Sequence, residues 1–340
     1  MRRRILGKTD IEVSELAFGG LFTSSLGPGF QESLDAVHIA IGLGINYFDT
    51  APAYANSEEI LGKIIGPIKT PTILSTKLGG RPQPFDPQNK DQLIASVKES
   101  LRLLERDVID ILFVHEPDRP LQYNWWSDPD AVYGPVIDVL NRLKQEGVIR
   151  YTGLGGTTAT ELAHRLRSGR FDVVLTAFNF SALFREATHD ILPDAKKQNM
   201  GVVLGSVLQQ GGLGRRYDDI VRARPAWLSK PRQHQFLEFY KLLDDAGMSI
   251  VELCLRFAIS CDDAHTVLIG PKTAAQVESA VDAVEKGPLP ADLLRRLDTI
   301  AALVPFRPFE EPMILPFNRP RDYYGPGMAN VGAGVKVGKL

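Results

Sequence analysis

Four side chains early in the chain have the types and spacing to move a proton. Asp49 closes the β-prone run "INYFD", and Tyr54 follows it after a turn containing Pro52. Lys77 stands near the end of "TILSTKL", and His115 ends "VIDILFVH". A free phenol has a pKa of about 10 and holds its proton too tightly at neutral pH. A neighbouring ammonium stabilises the phenolate and lowers that value. Asp49 would keep Lys77 charged and in place, His115 could hydrogen-bond a substrate oxygen, and Tyr54 would then be a tuned general acid or base. Taken singly each residue has a structural explanation: Asp49 and Thr50 suit a helix cap, a strand-end lysine is usually solvated, and a lone histidine is often a satisfied core group. An acid, a base, a phenol and an imidazole together point to function.

That convergence needs elements to produce it. Strand-like runs fall at 14–20, 45–49, 72–78, 108–115, 151–156, 172–179, 201–206 and 265–270, and amphipathic stretches such as "KDQLIASVKESLRLLE" and "AVYGPVIDVLNRLKQEG" lie between them. Eight β-then-α units predict a single (β/α)8 TIM barrel over residues 1–340, whose chemistry would lie at the C-terminal strand ends. Asp49 and Lys77 are 28 residues apart and Lys77 and His115 are 38 apart, so each interval holds one βα unit. An open doubly wound sheet is the rival, but the first βα turn lacks G-x-G-x-x-G with an acidic partner. Residues 1–13 predict a hairpin capping the barrel floor. The Pro- and Gly-rich stretch from about 304 to 340 predicts a long loop over the active-site mouth.

The bulk composition is that of an ordinary globular protein. Of 340 residues, 44% are hydrophobic and 24% charged, and the net charge of −2 is spread along the chain. Nothing there favours nucleic acid or acidic membranes as partners. No metal site is expected. Cys254 and Cys261 lie seven apart around a segment that reads as helical, about 10 Å along its axis, too far for an unstrained disulfide. Two core thiols, no membrane-length apolar stretch, and an opening "MRRRIL" unlike a signal peptide together predict a cytoplasmic protein.

"NYFDTAPAY", the lysine of "LSTKLG" and the histidine of "FVHEPD" resemble the aldo-keto reductase superfamily, over about residues 3–285. The resemblance implies a barrel binding NAD(P)H, with Tyr54 as acid/base, Lys77 and Asp49 tuning it, and His115 orienting the carbonyl. It also implies a dinucleotide extended along the seventh and eighth strands. "GSVLQQGGLGRRY" resembles the family's loop after the seventh strand, which assigns Ser206, Leu208, Gly212 and Leu213, while Gly211, Gly212 and Gly214 could leave amides open to a pyrophosphate. "LIGPKTAAQVE" resembles its adenosine-phosphate segment, which assigns Gly270, Lys272, Thr273 and Gln276. Gly20 and Asp49 complete that set. Lys272 at a helix start favours NADP(H) over the possible NAD(H).

Several positions depart from the family pattern. Gly155-Gly156 stands where Ser-Asn is common, Leu175 replaces a glutamine, and Gly205 replaces the aromatic expected against the nicotinamide. Gly155 is assigned to the cofactor, with Asn179 or Phe178 as substitutes for the missing amide-holding groups. The pattern is similar to the aldose and galactose dehydrogenase branch. Phe22, Trp125 and Trp126, with Tyr54 and His115, are the expected substrate contacts; the two tryptophans suit stacking on a sugar ring and equally suit anchoring their loop onto the barrel. The small-molecule partner is then a carbonyl or alcohol, expected to be a sugar or sugar derivative. The alternatives are a Schiff-base aldolase using Lys77 as nucleophile, and a cofactor-binding regulatory subunit with vestigial turnover.

Overall fold

The computed structural model describes residues 1–81, 83–308 and 311–317. Strands β1 (Arg3–Ile5) and β2 (Glu12–Ser14) form an antiparallel hairpin. Eight further strands follow: β3 (Leu16–Gly19), β4 (Tyr47–Asp49), β5 (Ile73–Leu78), β6 (Ile109–His115), β7 (Ile149–Gly156), β8 (Val173–Ala177), β9 (Gly201–Gly205) and β10 (Thr266–Ile269). They close into a parallel barrel in that order, with β10 pairing back onto β3. Seven of the eight runs read from the sequence contain one of these strands, and the run 151–156 lies within β7, which starts two residues earlier at Ile149, so the TIM-barrel expectation holds.

Strand alternation sorts the side chains into two layers. Ile111 and Phe113 of β6 join Tyr47, Val173, Leu175 and Val203 in the cluster inside the barrel, whereas Leu112 and Val114 join the layer between strands and helices. The hairpin contributes Leu6, Ile11 and Val13 to the inner cluster, so it plugs one end of the barrel, as expected. Its turn needs Gly7: φ is +58°, and a Cβ there would meet the Gly201 nitrogen at 2.3 Å.

The helices start and stop where the local chemistry directs. Asn89 caps Lys90–Leu104 by accepting from the Asp91 and Gln92 amides. The stretch from Ala131 becomes helical only at Pro135, which occupies the first turn, where its missing N–H costs nothing. The helix Ile250–Ile259 ends before Cys261, so the two cysteines do not share one helix; both are free thiols. Among the described residues no helix is long and apolar enough to cross a membrane.

The described part of the C-terminal segment lies against the loops that follow the strands. Arg307 stacks on Phe184, Met313 touches Arg119, and Phe317 stacks on Tyr217 at 4.5 Å. Glu311 is fixed by a buried bidentate pair with Arg232, at 2.6 and 2.8 Å. The rest of the expected mouth-covering loop, 318–340, lies outside the described residues.

Candidate active site

Register and alternation build the site from three neighbouring strands. Asp49 pairs with Ser75 across β4 and β5, Lys77 with Phe113 across β5 and β6, and His115 with Gly155 across β6 and β7. Tyr47, Ile73, Ile111 and Phe113 point inward lower in the barrel, so two-residue alternation also turns Asp49, Ser75, Lys77 and His115 inward at its upper end.

Lys77 Nζ donates to Asp49 Oδ2 at 2.6 Å and to the Thr50 carbonyl oxygen at 2.7 Å. The other Asp49 oxygen accepts from Ser75 Oγ at 2.6 Å, and Ser75 accepts from the Tyr47 hydroxyl at 3.0 Å. This chain of bonds compensates the removal of Asp49 and Lys77 from water, which would otherwise be prohibitive. Lys77 Nζ also lies 4.7 Å from the centre of the Tyr54 ring, whose edge meets the His115 ring at 5.9 Å between centroids.

Burial is the largest single influence on each protonation state, though not always the deciding one. It pushes Lys77 down, but Asp49 and Tyr54 outweigh it and leave the ammonium above its ordinary value. Burial pushes the Tyr54 phenol up and Lys77 pulls it only partly back, so the net direction is upward, opposite to the lowering expected from the ammonium alone. Burial, then Lys77 and Arg119, holds His115 well below its usual range, as a neutral imidazole. Its Nδ1 is buried and has no hydrogen-bond partner among the described residues.

The four residues stand at one end of a cavity of about 600 Å³. Phe22, Asp49, Tyr54, His115, Ser206, Leu208, Gly270, Lys272 and Gln276 line it, and Lys77 lies behind Asp49 and Tyr54. One side is the start of helix Ala274–Glu285, capped by Thr273 and without an acidic residue in its first turn. There Lys272 Nζ sits 4.4 Å from the centre of the Phe22 ring. Phe178 lines the cavity at φ +69° and Ser206 at +54°, both in the left-handed region that concentrates at ligand sites.

Other expected contacts fall elsewhere. Trp125 and Trp126 are 0% and 5% exposed and do not line the cavity. Their indole N–H groups donate to the carbonyl oxygens of His115 and Pro117, each at 2.9 Å, so they anchor their loop and present no face to a sugar. Asn179 gives its amide to Thr176 Oγ1 at 3.0 Å; of the two substitutes, Phe178 reaches the cavity. Gly20 is packed against Ser57 and Asp49, and Gly155 against Phe113 and Lys77. The amides of Gly211, Gly212 and Gly214 already donate to Leu208, Gln209 and Gly211, so they do not form an open nest. Gly212 and Leu213 support that loop from behind, and Thr273 acts as a helix cap. At Gly205 an added Cβ would come within 3.2 Å of a Leu175 methyl, so a larger residue there would need Leu175 to shift.

Sequence reasoning missed Glu116, Arg119 and Thr157 in the cavity wall, although the first two lie within four residues of His115 in "HEPDR". It also missed Val251 and Leu255, which reach the cavity from a distant helix and leave no local signal.

Comparison with known proteins agrees with this geometry. The chain is 30% identical over 299 residues to the L-galactose dehydrogenase of Arabidopsis thaliana, covering 83% of this chain and 87% of that one. It is 25% identical over 303 residues to a D-threo-aldose 1-dehydrogenase from a Pseudomonas species, covering 81% and 85%. An aldo-keto reductase from Bacillus halodurans, in its holo form, superposes with a TM-score of 0.70 at 28% identity, over 88% of this chain and 96% of that one. The model of the Aldo/keto reductase family matches residues 15–302, the whole barrel with its rim, and this protein belongs to that family of NAD(P)-dependent oxidoreductases.

Proposed function

We propose that the protein interconverts a carbonyl and an alcohol, with Tyr54 as acid/base, NADP(H) as the preferred dinucleotide and a sugar or sugar derivative as substrate. The observation that carries the reading is the buried Lys77–Asp49 pair directly beneath Tyr54. When bound, the nicotinamide supplies or accepts the hydride. In reduction Tyr54 gives its proton to the carbonyl oxygen, and Lys77 stabilises the phenolate left behind. His115, neutral and in the cavity lining, can hydrogen-bond the same oxygen. In oxidation the phenolate recovers the proton. The raised Lys77 ammonium argues against the aldolase reading, which needs a neutral amine as nucleophile.

The dinucleotide fits the cavity wall made by Ser206, Leu208, Gly270, Lys272 and Gln276, and the cavity's size is that of ordinary ligand pockets. Support for NADP(H) is Lys272 at the start of a helix whose first turn has no acid, where an anion is favoured. Support for a sugar is the naming of two relatives as aldose or galactose dehydrogenases.

The test is an aldose and carbonyl panel with both nucleotides, followed at the nicotinamide absorbance, on the wild type and Tyr54→Phe. Tyr54→Phe should lose about 10²–10⁴ in kcat with nucleotide binding retained. Near-normal turnover in the variant sinks the Tyr54 mechanism. Tight nucleotide binding without turnover of any substrate favours the regulatory alternative.

A further inference from the structure

The proposed reaction uses Asp49, Tyr54, Lys77 and His115 but leaves a charged pair at the same end of the cavity without a role. Among the described residues lining the cavity, the charged side chains are Asp49, Glu116, Arg119 and Lys272. Asp49 is engaged by Lys77 and Ser75, and Lys272 lies over Phe22.

Glu116 is held in an unusual way. Its φ of +49° lies in the left-handed region that a residue with a Cβ adopts only at a cost, and such residues cluster at ligand sites. Its amide donates to the Gly155 carbonyl oxygen at 2.8 Å, which fixes the turn directly after His115. Both contacts to its carboxylate reach one oxygen: Arg119 Nε lies 3.1 Å from Oε2, and Thr157 Oγ1 donates to it at 2.9 Å. The other oxygen, Oε1, accepts no hydrogen bond among the described residues, and Glu116 lines the cavity. Arg119 is held on its far side by the Met313 sulfur, 3.1 Å from Nη2.

We propose that Glu116 and Arg119 form a hydroxyl-recognition subsite, in which Glu116 Oε1 accepts from substrate hydroxyls and Arg119 donates to them, selecting a neutral polyhydroxylated carbonyl compound. The inference rests on the carbonyl–alcohol reading above. An acceptor beside a donor matches hydroxyl groups, each of which both gives and takes a hydrogen bond. An anionic substrate would face the Glu116 carboxylate, which already compensates Arg119. A compound without hydroxyls would cover the pair without using its remaining donor and acceptor capacity, which disfavours it.

The acceptor also has a pH signature. Burial pushes the Glu116 carboxyl up to about 7, with Asp118 pushing further and Arg119, Thr157 and Lys77 pulling down. Tyr54 and Tyr123 face it as well, and their phenols stay protonated in this range. The subsite is therefore complete only above about pH 7, and KM for the sugar should fall as pH rises through that value.

The experiment compares wild type, Glu116→Gln and Arg119→Met on neutral aldoses, hexuronates and 4-nitrobenzaldehyde, with nucleotide binding measured by fluorescence to show that each variant has a folded site. Glu116→Gln should lower the aldose-to-nitrobenzaldehyde ratio of kcat/KM at least tenfold, chiefly through KM, and should flatten the dependence of KM on pH. An unchanged ratio, or an equal fall for both substrates, overturns the proposal. So does a wild type that prefers hexuronates to neutral aldoses, which would make Arg119 a carboxylate anchor. A wild type that reduces 4-nitrobenzaldehyde and takes no sugar overturns this subsite alone, whereas one that turns over no carbonyl sinks the reading beneath it.

Discussion

The Trp125 indole donates to the backbone carbonyl oxygen of His115 at 2.9 Å, tying the loop after β6 to the strand end that carries the imidazole. The ring is fully buried, packed against Phe85 and Tyr123. Trp125→Ala should therefore cost about 3–5 kcal/mol of stability. Trp125→Phe, which mainly orphans the carbonyl, should cost about 1–3 kcal/mol. Urea denaturation measures both. The aldose-to-nitrobenzaldehyde ratio should stay constant in Trp125→Phe, because the ring meets no substrate; a selective rise of the sugar KM would return the tryptophan to the binding site.

Lys77 and Asp49 are a buried pair, so removing one partner strands the other. Lys77→Met should destabilise the fold by about 3–5 kcal/mol and abolish turnover. Asp49→Asn/Lys77→Met should recover much of the stability and none of the activity, since the phenol still lacks its cation. Borohydride with a carbonyl substrate should trap no adduct at Lys77 in the wild type. Mass spectrometry decides it: a reduced imine at that residue would revive the aldolase chemistry.

Lys272 lies over Phe22 at the start of helix Ala274–Glu285. A charge-assisted bond to a ribose phosphate is worth about 1.5–3 kcal/mol, so Lys272→Ala should weaken NADPH by about tenfold or more. NADH, which has no such phosphate, should weaken much less. Fluorescence titration with each nucleotide separates the two, and equal weakening contradicts the NADP(H) preference.

His115 and Glu116 are neighbours with opposite proton linkage. The His115 value is lowered by burial, so its contribution to stability is present above its unfolded value of about 6.5 and is lost as pH falls below it. The Glu116 value is raised to about 7, so its contribution is present below its unfolded value of about 4.3 and is lost as pH rises toward 7. Between about pH 4.5 and 6.5 the two slopes oppose, each at most about 1.4 kcal/mol per pH unit. Glu116→Gln removes one of them. Relative to wild type, its unfolding free energy should fall more steeply as pH drops through this window. Parallel stability curves would mean that Glu116 is ionised throughout.

The sequence by itself determined the barrel and the rim at which Asp49, Lys77 and His115 meet. Alternation along a strand is a property of the local chain, so once β4, β5 and β6 are recognised, Asp49, Lys77 and His115 must share the inner face at one end. The hairpin cap was legible for the same reason: Leu6, Ile11 and Val13 sit in a short β-prone stretch with Gly7 at its turn. What only the tertiary structure decided lies in the loops, where no period fixes the direction of a side chain. In sequence Trp125 and Trp126 suit a sugar platform as well as a loop anchor; the backbone carbonyls of His115 and Pro117 decide for the anchor. Glu116 and Arg119 were in plain view after His115, but their place in the cavity wall follows from a left-handed turn and from Thr157 on the next βα unit. The glycine amides after β9 looked open in sequence and are closed by bonds within their own loop. Strand faces follow from neighbours two residues away; loop side chains answer to partners that only the closed barrel brings together.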